Sequence, residues 1–245
     1  QKFGLKFVEH IDGMFAIGLF DKKNKKLYLY RDQSGQKNIY FRFKNGDLFF
    51  ASELQALLQF APNASNHANG AALRLSAHLG YWPGRKTLIS GVDRLLPGQI
   101  LEYSLRTKSF KFYFFYGRQK EFSEQKENCF ENLISNVFDA NCKVALNLSG
   151  GMDSSIILHE LSKSYSSINT YTTLYSDCEN DANSEAILAR KLAENYGSNH
   201  TEYEISQRKY IDGFEDAYRS LDEPNYNVSI PIYHQLAKYQ GLYGQ

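Results

Sequence analysis

The stretch with the clearest capacity for chemistry is residues 149–155, which read Ser-Gly-Gly-Met-Asp-Ser-Ser. An apolar run at 144–148 precedes it, and a helical pattern with Ile157, Leu158 and Leu161 on one face follows it. A strand that enters a helix through a glycine turn directs free backbone N–H groups, and the positive end of the helix dipole, towards one point. Such a point binds anions, and phosphate groups above all.

The residue types in this loop favour a phosphate site. Gly150 and Gly151 permit positive φ angles and a close approach of a phosphate to the backbone. Asp153 fits beside a phosphate if it caps the helix or if it holds a Mg²⁺ ion that bridges to the phosphate oxygens. No lysine follows the glycines, which excludes the GxxxxGK[ST] loop, while an ordinary strand–helix turn with a Ser or Asp cap stays open as an alternative. Three serines add hydroxyl donors: Ser149, Ser154 and Ser155.

This loop resembles the SGGxDSS signature of the N-type ATP pyrophosphatases, and in particular of the asparagine synthetases. The resemblance implies a ligase that uses ATP and Mg²⁺ to adenylate a carboxylate, aspartate in asparagine biosynthesis, and that releases AMP and pyrophosphate. It also implies that Asp153 organises the Mg²⁺ and that Leu148 and Thr173 lie on the adenine side. The pyrophosphate-binding residues that it implies are Ser149, Gly150, Gly151, Asp153, Ser154 and Ser155.

The elements around the loop predict a doubly wound parallel sheet, similar to a Rossmann fold. The run at 144–148 predicts a buried parallel strand, 168–174 a second strand, and 200–205 a third. A helix that Asp181 or Asn183 could cap, with Ala186, Ala189, Leu192, Ala193 and Tyr196 inward, ends at Gly197. An amphipathic helix is predicted over 121–139. Ligands bind at the carboxyl ends of the strands in such sheets, which is where the loop lies.

The first half of the chain predicts a β-meander followed by a helix. Strands are expected over 14–20, 27–30, 38–43 and 48–50, with the Asn45-Gly46 pair as a tight hairpin turn. A helix then begins near Ser52 and continues through Leu58. By its pattern this is an α+β domain.

Several short sequence motifs in this half resemble those of the class II glutamine amidotransferase domains that precede the synthetase domain in asparagine synthetases. The matching stretches are 12–16, 31–37, 50–54 and 95–99. The resemblance implies a β-sandwich like that of N-terminal-nucleophile hydrolases over residues 1–120, and a partial ATP pyrophosphatase domain over 121–245. Glutamine or ammonia would then supply the nitrogen.

Two departures from the family limit these expectations. The family's nucleophile is a cysteine at the mature N-terminus, whereas this sequence starts at Gln1 and has its first cysteine at Cys129. The sequence as given is therefore expected not to hydrolyse glutamine. The family's SGxGxDExxGGY segment does not occur before Gln245, so no complete set of catalytic residues is expected and the fragment itself could be inactive. The alternatives are a β-lactam or peptide-cyclising relative without glutaminase activity, and a non-catalytic nucleotide-binding protein.

Other polar residues are open to two interpretations. Asp222 and Glu223 lie in a Leu-Asp-Glu-Pro segment that resembles one of the family's, and they are substrate-side candidates, although a solvated loop suits them equally. Arg31 and Asp32 follow a predicted strand, where an ion pair commonly fixes a loop. His200 is expected to be structural.

Composition excludes several classes of function. The net charge is +1, with 28 basic and 27 acidic residues, so neither nucleic acid nor a membrane surface is an expected partner. The three cysteines are widely spaced and indicate a reducing, cytoplasmic location. The expected partners are small molecules: ATP, a carboxylate, and glutamine or ammonia. A homodimer stays open.

Overall fold

A computed structural model describes residues 4–60, 67–115, 144–177 and 183–243. By its contacts the chain divides into two compact units. Unit 1 comprises Gln1–Lys120 and Ser220–Asn227, and unit 2 comprises Glu121–Arg219 and Val228–Gln245. The helix expected over 121–139 and the domain boundary expected at residue 120 lie outside the described residues, and both stay predictions.

Unit 1 contains two antiparallel sheets in its described part. Strands β1, β2, β6 and β7 form one sheet in that order, and β4, β3 and β5 form the other. The elements of this unit are a 3₁₀-helix (Gly4–His10), β1 (Ala16–Asp21), β2 (Lys26–Arg31), β3 (Tyr40–Lys44), β4 (Asp47–Ala51), α1 (Leu54–Phe60), α2 (Gly70–Leu79), β5 (Asp93–Arg94), β6 (Gln99–Ser104) and β7 (Ser109–Phe114).

The hairpins of unit 1 agree with the sequence pattern. Asn45 and Gly46 have φ angles of 52° and 81°, and they join β3 to β4 as a two-residue turn. Two positive φ angles in succession define the turn type that Asn-Gly pairs favour. Both sheets contribute to one core, which contains Leu29, Ile39, Phe41, Leu95, Leu101 and Tyr103. The further expectation of a nucleophile-hydrolase-like sandwich stays a prediction.

Unit 2 contains a parallel sheet with the strand order β10, β9, β8. Short helices follow β10, and a longer helix, α7, ends the described chain. The elements are β8 (Ala145–Asn147), α3 (Met152–Ser164), β9 (Asn169–Tyr175), α4 (Ser184–Tyr196), β10 (Asn199–Ile205), α5 (Gln207–Asp212), α6 (Phe214–Arg219) and α7 (Ile230–Tyr243). Within the described ranges no helix is long and apolar enough to cross a membrane.

The predicted alternation of strands and helices is present in unit 2. Helices α3 and α4 connect successive strands and pack in one core, which includes Leu158, Leu161, Ala189 and Ala193. The three described strands follow chain order, so the reversal of strand order that defines a doubly wound sheet is not among them. The mixed α/β class is observed, and the doubly wound arrangement stays a prediction.

Two expectations about burial in unit 2 are wrong. The first strand was expected to be buried, but Ala145 and Asn147 are exposed, because these two residues share one face of β8 and that face is not covered. Leu148, directly after it, is buried. Tyr196 was expected to face inward, but it is 37% exposed, and its hydroxyl lies 3.2 Å from Nδ1 of His159. The buried residues of α4 are the alanines Ala186, Ala189 and Ala193.

Candidate functional site

Residues 149–155 connect the carboxyl end of β8 to the first turn of α3. Gly151 is the N-cap of the helix, and the Ser155 N–H donates to its carbonyl oxygen at 3.1 Å. The N–H groups of Met152, Asp153 and Ser154 belong to the first helical turn and have no acceptor within the helix. The strand–loop–helix arrangement predicted from the sequence is confirmed.

Gly150 is required by the helix behind the loop. Its φ angle is +77°, and a Cβ atom built there would lie 2.7 Å from Cβ of Leu188, 2.8 Å from the carbonyl oxygen of Glu185 and 2.9 Å from the amide nitrogen of Ala189. Helix α4 therefore packs directly against the inner face of the loop. Gly151 has a φ angle of −74°, so of the two glycines only Gly150 uses the positive φ that glycine permits.

The loop's serines form a local hydrogen-bond network. The hydroxyls of Ser149 and Ser154 are 3.1 Å apart, and the Gly151 N–H donates to Oγ of Ser149 at 3.3 Å. The Ser155 hydroxyl donates to the Gly151 carbonyl oxygen at 2.7 Å, and Ser154 also donates there at 3.2 Å. These bonds hold the loop in shape, and Ser149 as a residue is exposed.

The outer face of the loop is open. Ser149, Gly151 and Asp153 are exposed, and Met152 is 78% exposed. The first-turn N–H groups and the dipole of the 13-residue helix α3 therefore meet the surface together. This is the geometry of an anion site. Helix α4 packs against the loop at Gly150 and leaves the opposite side, with the first-turn N–H groups, accessible.

Asp153 does not cap the helix, because Gly151 holds that position and Asp153 is the second helical residue. That alternative from the sequence is wrong. Among the described residues its carboxylate has no hydrogen-bond or ion-pair partner. The described ranges also contain no cluster of three or more metal-ligating side chains.

The predicted adenine-side residues lie beside the loop. The Leu148 N–H donates to the Tyr171 carbonyl oxygen at 2.8 Å, and the Leu148 side chain is 1% exposed in the core. Thr173 is two residues further along β9, where β8 has ended. Alternate residues of a strand direct their backbone groups to the same side. The N–H and C=O of Thr173 therefore face the space next to the loop.

Asn183 is a residue whose role the sequence did not reveal. Its side chain accepts from the Tyr175 N–H at 2.8 Å and donates to the Tyr175 carbonyl oxygen at 2.9 Å. It makes no side-chain cap bond to α4, although it holds the N-cap position. The Asn183 side chain thus bonds both backbone groups of Tyr175, the last residue of β9. On the edge of β9 that faces β8, the described pairing ends at Tyr171, so the backbone groups of Thr173 lie between these two bonded positions.

Asp222 and Glu223 belong to unit 1, and both carboxylates bind groups of that unit. Asp222 accepts from the Leu54 N–H at 2.8 Å, at the start of α1. Glu223 is 7% exposed and forms an ion pair of 3.0 Å with Arg94. Burial raises the pKa of Glu223, and the nearby Arg94 only partly offsets this effect. A substrate role for these two residues stays a prediction.

Arg31 and Asp32 each bind loop backbone, but the ion pair between them that the sequence suggested is not among the ion pairs of the described residues. Asp32 is 1% exposed and accepts from the N–H groups of Gln36 at 2.9 Å and Lys37 at 2.8 Å. Burial raises its pKa, but these backbone donors together outweigh burial and hold the pKa below its usual value. Arg31 donates to the Leu95 carbonyl oxygen at 2.5 Å. Both side chains are occupied with the backbone of unit 1.

His200 also has a structural contact. Its Nδ1 lies 3.0 Å from Oγ1 of Thr170 on the neighbouring strand, and burial lowers its pKa. This end of β10 is the amino end, opposite to the edge at which the loop lies. His200 therefore does not belong to the candidate site.

Comparisons with known proteins cover both halves of the chain. Residues 1–114 match the family described as "Glutamine amidotransferase domain". Residues 129–241 match the family described as "Asparagine synthase".

Three curated relatives illustrate the similarity. "Asparagine synthetase [glutamine-hydrolyzing] 3" of Bacillus subtilis is 25% identical, with 89% of this chain and 38% of the relative covered. "Asparagine synthetase [glutamine-hydrolyzing] 1" of the same organism is 26% identical, with 90% and 35% covered. "Microcin J25-processing protein McjC" of Escherichia coli is 27% identical, with 96% and 43% covered. The chain thus spans less than half the length of these relatives.

Proposed function

Because the chain belongs to the family that joins a glutamine amidotransferase domain to an asparagine synthase domain, we propose that the full protein is an ATP-dependent amide-forming ligase. In this proposal ATP activates a carboxylate, AMP and pyrophosphate are released, and ammonia derived from glutamine completes the amide. Aspartate is the proposed acceptor because two of the relatives are named asparagine synthetases.

The observation that carries the proposal is the open outer face of residues 149–155. Free N–H groups at Met152, Asp153 and Ser154, with the hydroxyl of the exposed residue Ser149, suit the pyrophosphate part of ATP. The hydroxyl network and the packing of Gly150 against α4 fix this arrangement before any ligand binds. Fixed donors stabilise developing charge without a cost of reorganisation.

The proposed chemistry proceeds in two steps. An oxygen of the acceptor carboxylate attacks the α-phosphorus of ATP, and the bond from that phosphorus to the oxygen bridging to the β-phosphate breaks. The negative charge of the departing pyrophosphate develops against the first-turn amides of α3. Ammonia then attacks the acyl carbon, loses a proton, and AMP leaves with the electron pair of the broken C–O bond. The loop lowers the barrier of the first step by electrostatic stabilisation.

Two further assignments belong to this proposal. Mg²⁺, when bound, would neutralise charge on the phosphates, with Asp153 as the loop's carboxylate ligand. The backbone groups of Thr173 would contact the adenine, because they face the space beyond the end of β8. The side chain of Leu148 is buried, so in this proposal Leu148 supports the nucleotide from below by packing in the core rather than by direct contact.

A second candidate is a ligase that modifies a peptide rather than aspartate. The similarity to the Microcin J25-processing protein, 27% identity over 96% of this chain, favours it as much as the other relatives favour aspartate. The two candidates share the ATP chemistry of the loop and differ in the acceptor.

Exchange of labelled pyrophosphate into ATP by the full-length protein tests the proposal. We expect exchange that depends on the acceptor, and at least a tenfold loss in Ser149→Ala and in Asp153→Ala, because each removes a group at the phosphates. Ser162→Ala is the matched control, since its hydroxyl donates to the His159 carbonyl oxygen further along the same helix. Unaltered exchange in both loop variants would refute the assigned role. The acceptor that supports exchange, aspartate or a peptide, decides between the two candidates.

A further inference from the structure

Unit 1 contains a cavity of about 340 Å³ between the 3₁₀-helix and the four-stranded sheet. Successive residues of a strand face opposite sides of a sheet, so Tyr28 and Tyr30 of β2 line the cavity while Leu29 lies in the core on the other side. Ile100 of β6, which pairs with Tyr30, also lines it. The 3₁₀-helix covers this face of the sheet with the buried Val8 but leaves the cavity open beside it.

The hydroxyl of Tyr30 is an unused hydrogen-bonding group in the wall of this cavity. Tyr30 is 0% exposed, and its hydroxyl oxygen has no hydrogen-bond partner among the described residues. Its nearest ring neighbours are Phe7, edge-on at 5.3 Å, and Tyr28, stacked at 6.3 Å. Burial raises the pKa of Tyr30 to about 12, so the hydroxyl keeps its proton at neutral pH and can donate it.

A buried tyrosine hydroxyl ordinarily has a partner, and this sheet provides an example. Tyr103 of β6 lies on the opposite face, in the core with Leu29, and its hydroxyl donates to the Gly46 carbonyl oxygen. The two tyrosines therefore differ in one respect that matters here. The donor of Tyr103 is satisfied within the fold, whereas the donor of Tyr30 is left for a molecule that enters the cavity.

The other walls of the cavity define the kind of molecule that fits. Glu102 forms an ion pair of 2.7 Å with Lys26, and the 3₁₀-helix contributes one charge of each sign, Lys6 and Glu9. These charges balance, so the cavity favours neither an anion nor a cation. The remaining walls are mainly aromatic, and flat rings pack well against them. The aromatic side chains that line the cavity include Tyr28, Tyr113 and Phe115.

We propose that this cavity binds an uncharged, flat aromatic molecule of one or two rings, with the Tyr30 hydroxyl donating to an acceptor atom on it. The volume lies at the lower end of the range for small-molecule pockets, which suits a ligand of that size. No bond is made or broken in this binding. The inference is independent of the proposed function, because every wall of the cavity belongs to unit 1 and no step requires ATP.

Two probe molecules of nearly the same shape test the role of the hydroxyl. Acetophenone has one ring and a carbonyl acceptor, and α-methylstyrene has a CH₂ group in place of the carbonyl oxygen. The test variant is Tyr30→Phe, which removes the hydroxyl and keeps the ring. The matched control is Tyr103→Phe, which removes a bonded hydroxyl on the other face of the sheet. Ligand-observed NMR titrations and thermal melts of the full-length protein give the affinities and the melting temperatures.

Wild type should bind acetophenone at least about threefold more tightly than α-methylstyrene, because only acetophenone accepts a hydrogen bond. Tyr30→Phe should remove that difference and leave the affinity for α-methylstyrene unaltered. It should also melt at or above the wild-type temperature, because the hydroxyl that it removes has no partner. Tyr103→Phe should show the reverse, a lower melting temperature with wild-type binding of both probes.

Three results would overturn the inference. The first is that neither probe binds the wild-type protein. The second is that acetophenone binds wild type and Tyr30→Phe with the same affinity. The third is that Tyr30→Phe lowers the melting temperature as much as Tyr103→Phe does, since the Tyr30 hydroxyl would then already have a partner in the full-length protein.

Discussion

Substitution of Gly150 by alanine tests the packing that fixes the phosphate loop. The new Cβ would meet three atoms of α4 at less than 3.0 Å, of which the Glu185 carbonyl oxygen and the Ala189 amide nitrogen are backbone atoms that cannot rotate away. Its φ of +77° adds strain for any residue with a Cβ. The helix or the loop must therefore shift.

The magnitude of the Gly150→Ala effect can be separated into two contributions with a control in the same unit. Gly197 also has a positive φ, +61°, but a Cβ there would meet nothing within 4 Å. Gly197→Ala should therefore show only the backbone strain, roughly 1–2 kcal/mol. Gly150→Ala should show that strain together with overpacking of roughly 1–3 kcal/mol, so about 2–5 kcal/mol in all.

Urea unfolding followed by circular dichroism at 222 nm measures both variants, since unit 2 contains most of the described helix. Trp82 fluorescence, which reports unit 1, should stay as in wild type. Pyrophosphate exchange should fall in Gly150→Ala and not in Gly197→Ala, because only the first displaces the loop. Equal unfolding free energies for the two variants would refute the argument that α4 packs against the loop.

Three further substitutions test individual contacts. Asp32→Asn should lower the melting temperature more at pH 7 than at pH 3, because a carboxyl group with a lowered pKa in the folded state stabilises the fold above about pH 4 and loses that effect progressively as the pH falls; a difference that is the same at both pH values would contradict this. Asn183→Ala should cost about 1–3 kcal/mol in urea unfolding because it leaves the N–H and C=O of Tyr175 without partners, whereas an unaffected stability would show that water replaces the amide without loss. Asp222→Ala should cost about 0.5–2 kcal/mol by removing the acceptor at the start of α1, and Asp222→Asn, which keeps that oxygen, should cost less.

Local features of this fold could be predicted from the sequence because their causes are local. The Asn45-Gly46 turn, the end of α4 at Gly197 in a left-handed conformation, and the strand–loop–helix around residues 149–155 each follow from residues close in sequence. The apolar face of α3 was predicted for the same reason, since Leu158 and Leu161 recur at helical spacing and are buried.

Contacts between distant residues could not be predicted. Glu223 is paired with Arg94 across 129 positions, and a Leu-Asp-Glu-Pro segment has no periodicity that indicates its partner. The closeness of Gly150 to α4 depends on how two helices pack, which the loop's own residues do not encode. The exposure of Ala145 and Asn147 in β8 depends on what packs over one face of the strand, which its apolar composition does not encode.

The most direct test of the account is a crystal structure of the full-length protein with Mg²⁺ and pyrophosphate. We predict phosphate oxygens at about 3 Å from the N–H groups of Met152, Asp153 and Ser154, with the metal ion between the phosphates and the Asp153 carboxylate. Pyrophosphate bound elsewhere, with water alone along the outer face of residues 149–155, would contradict the central claim.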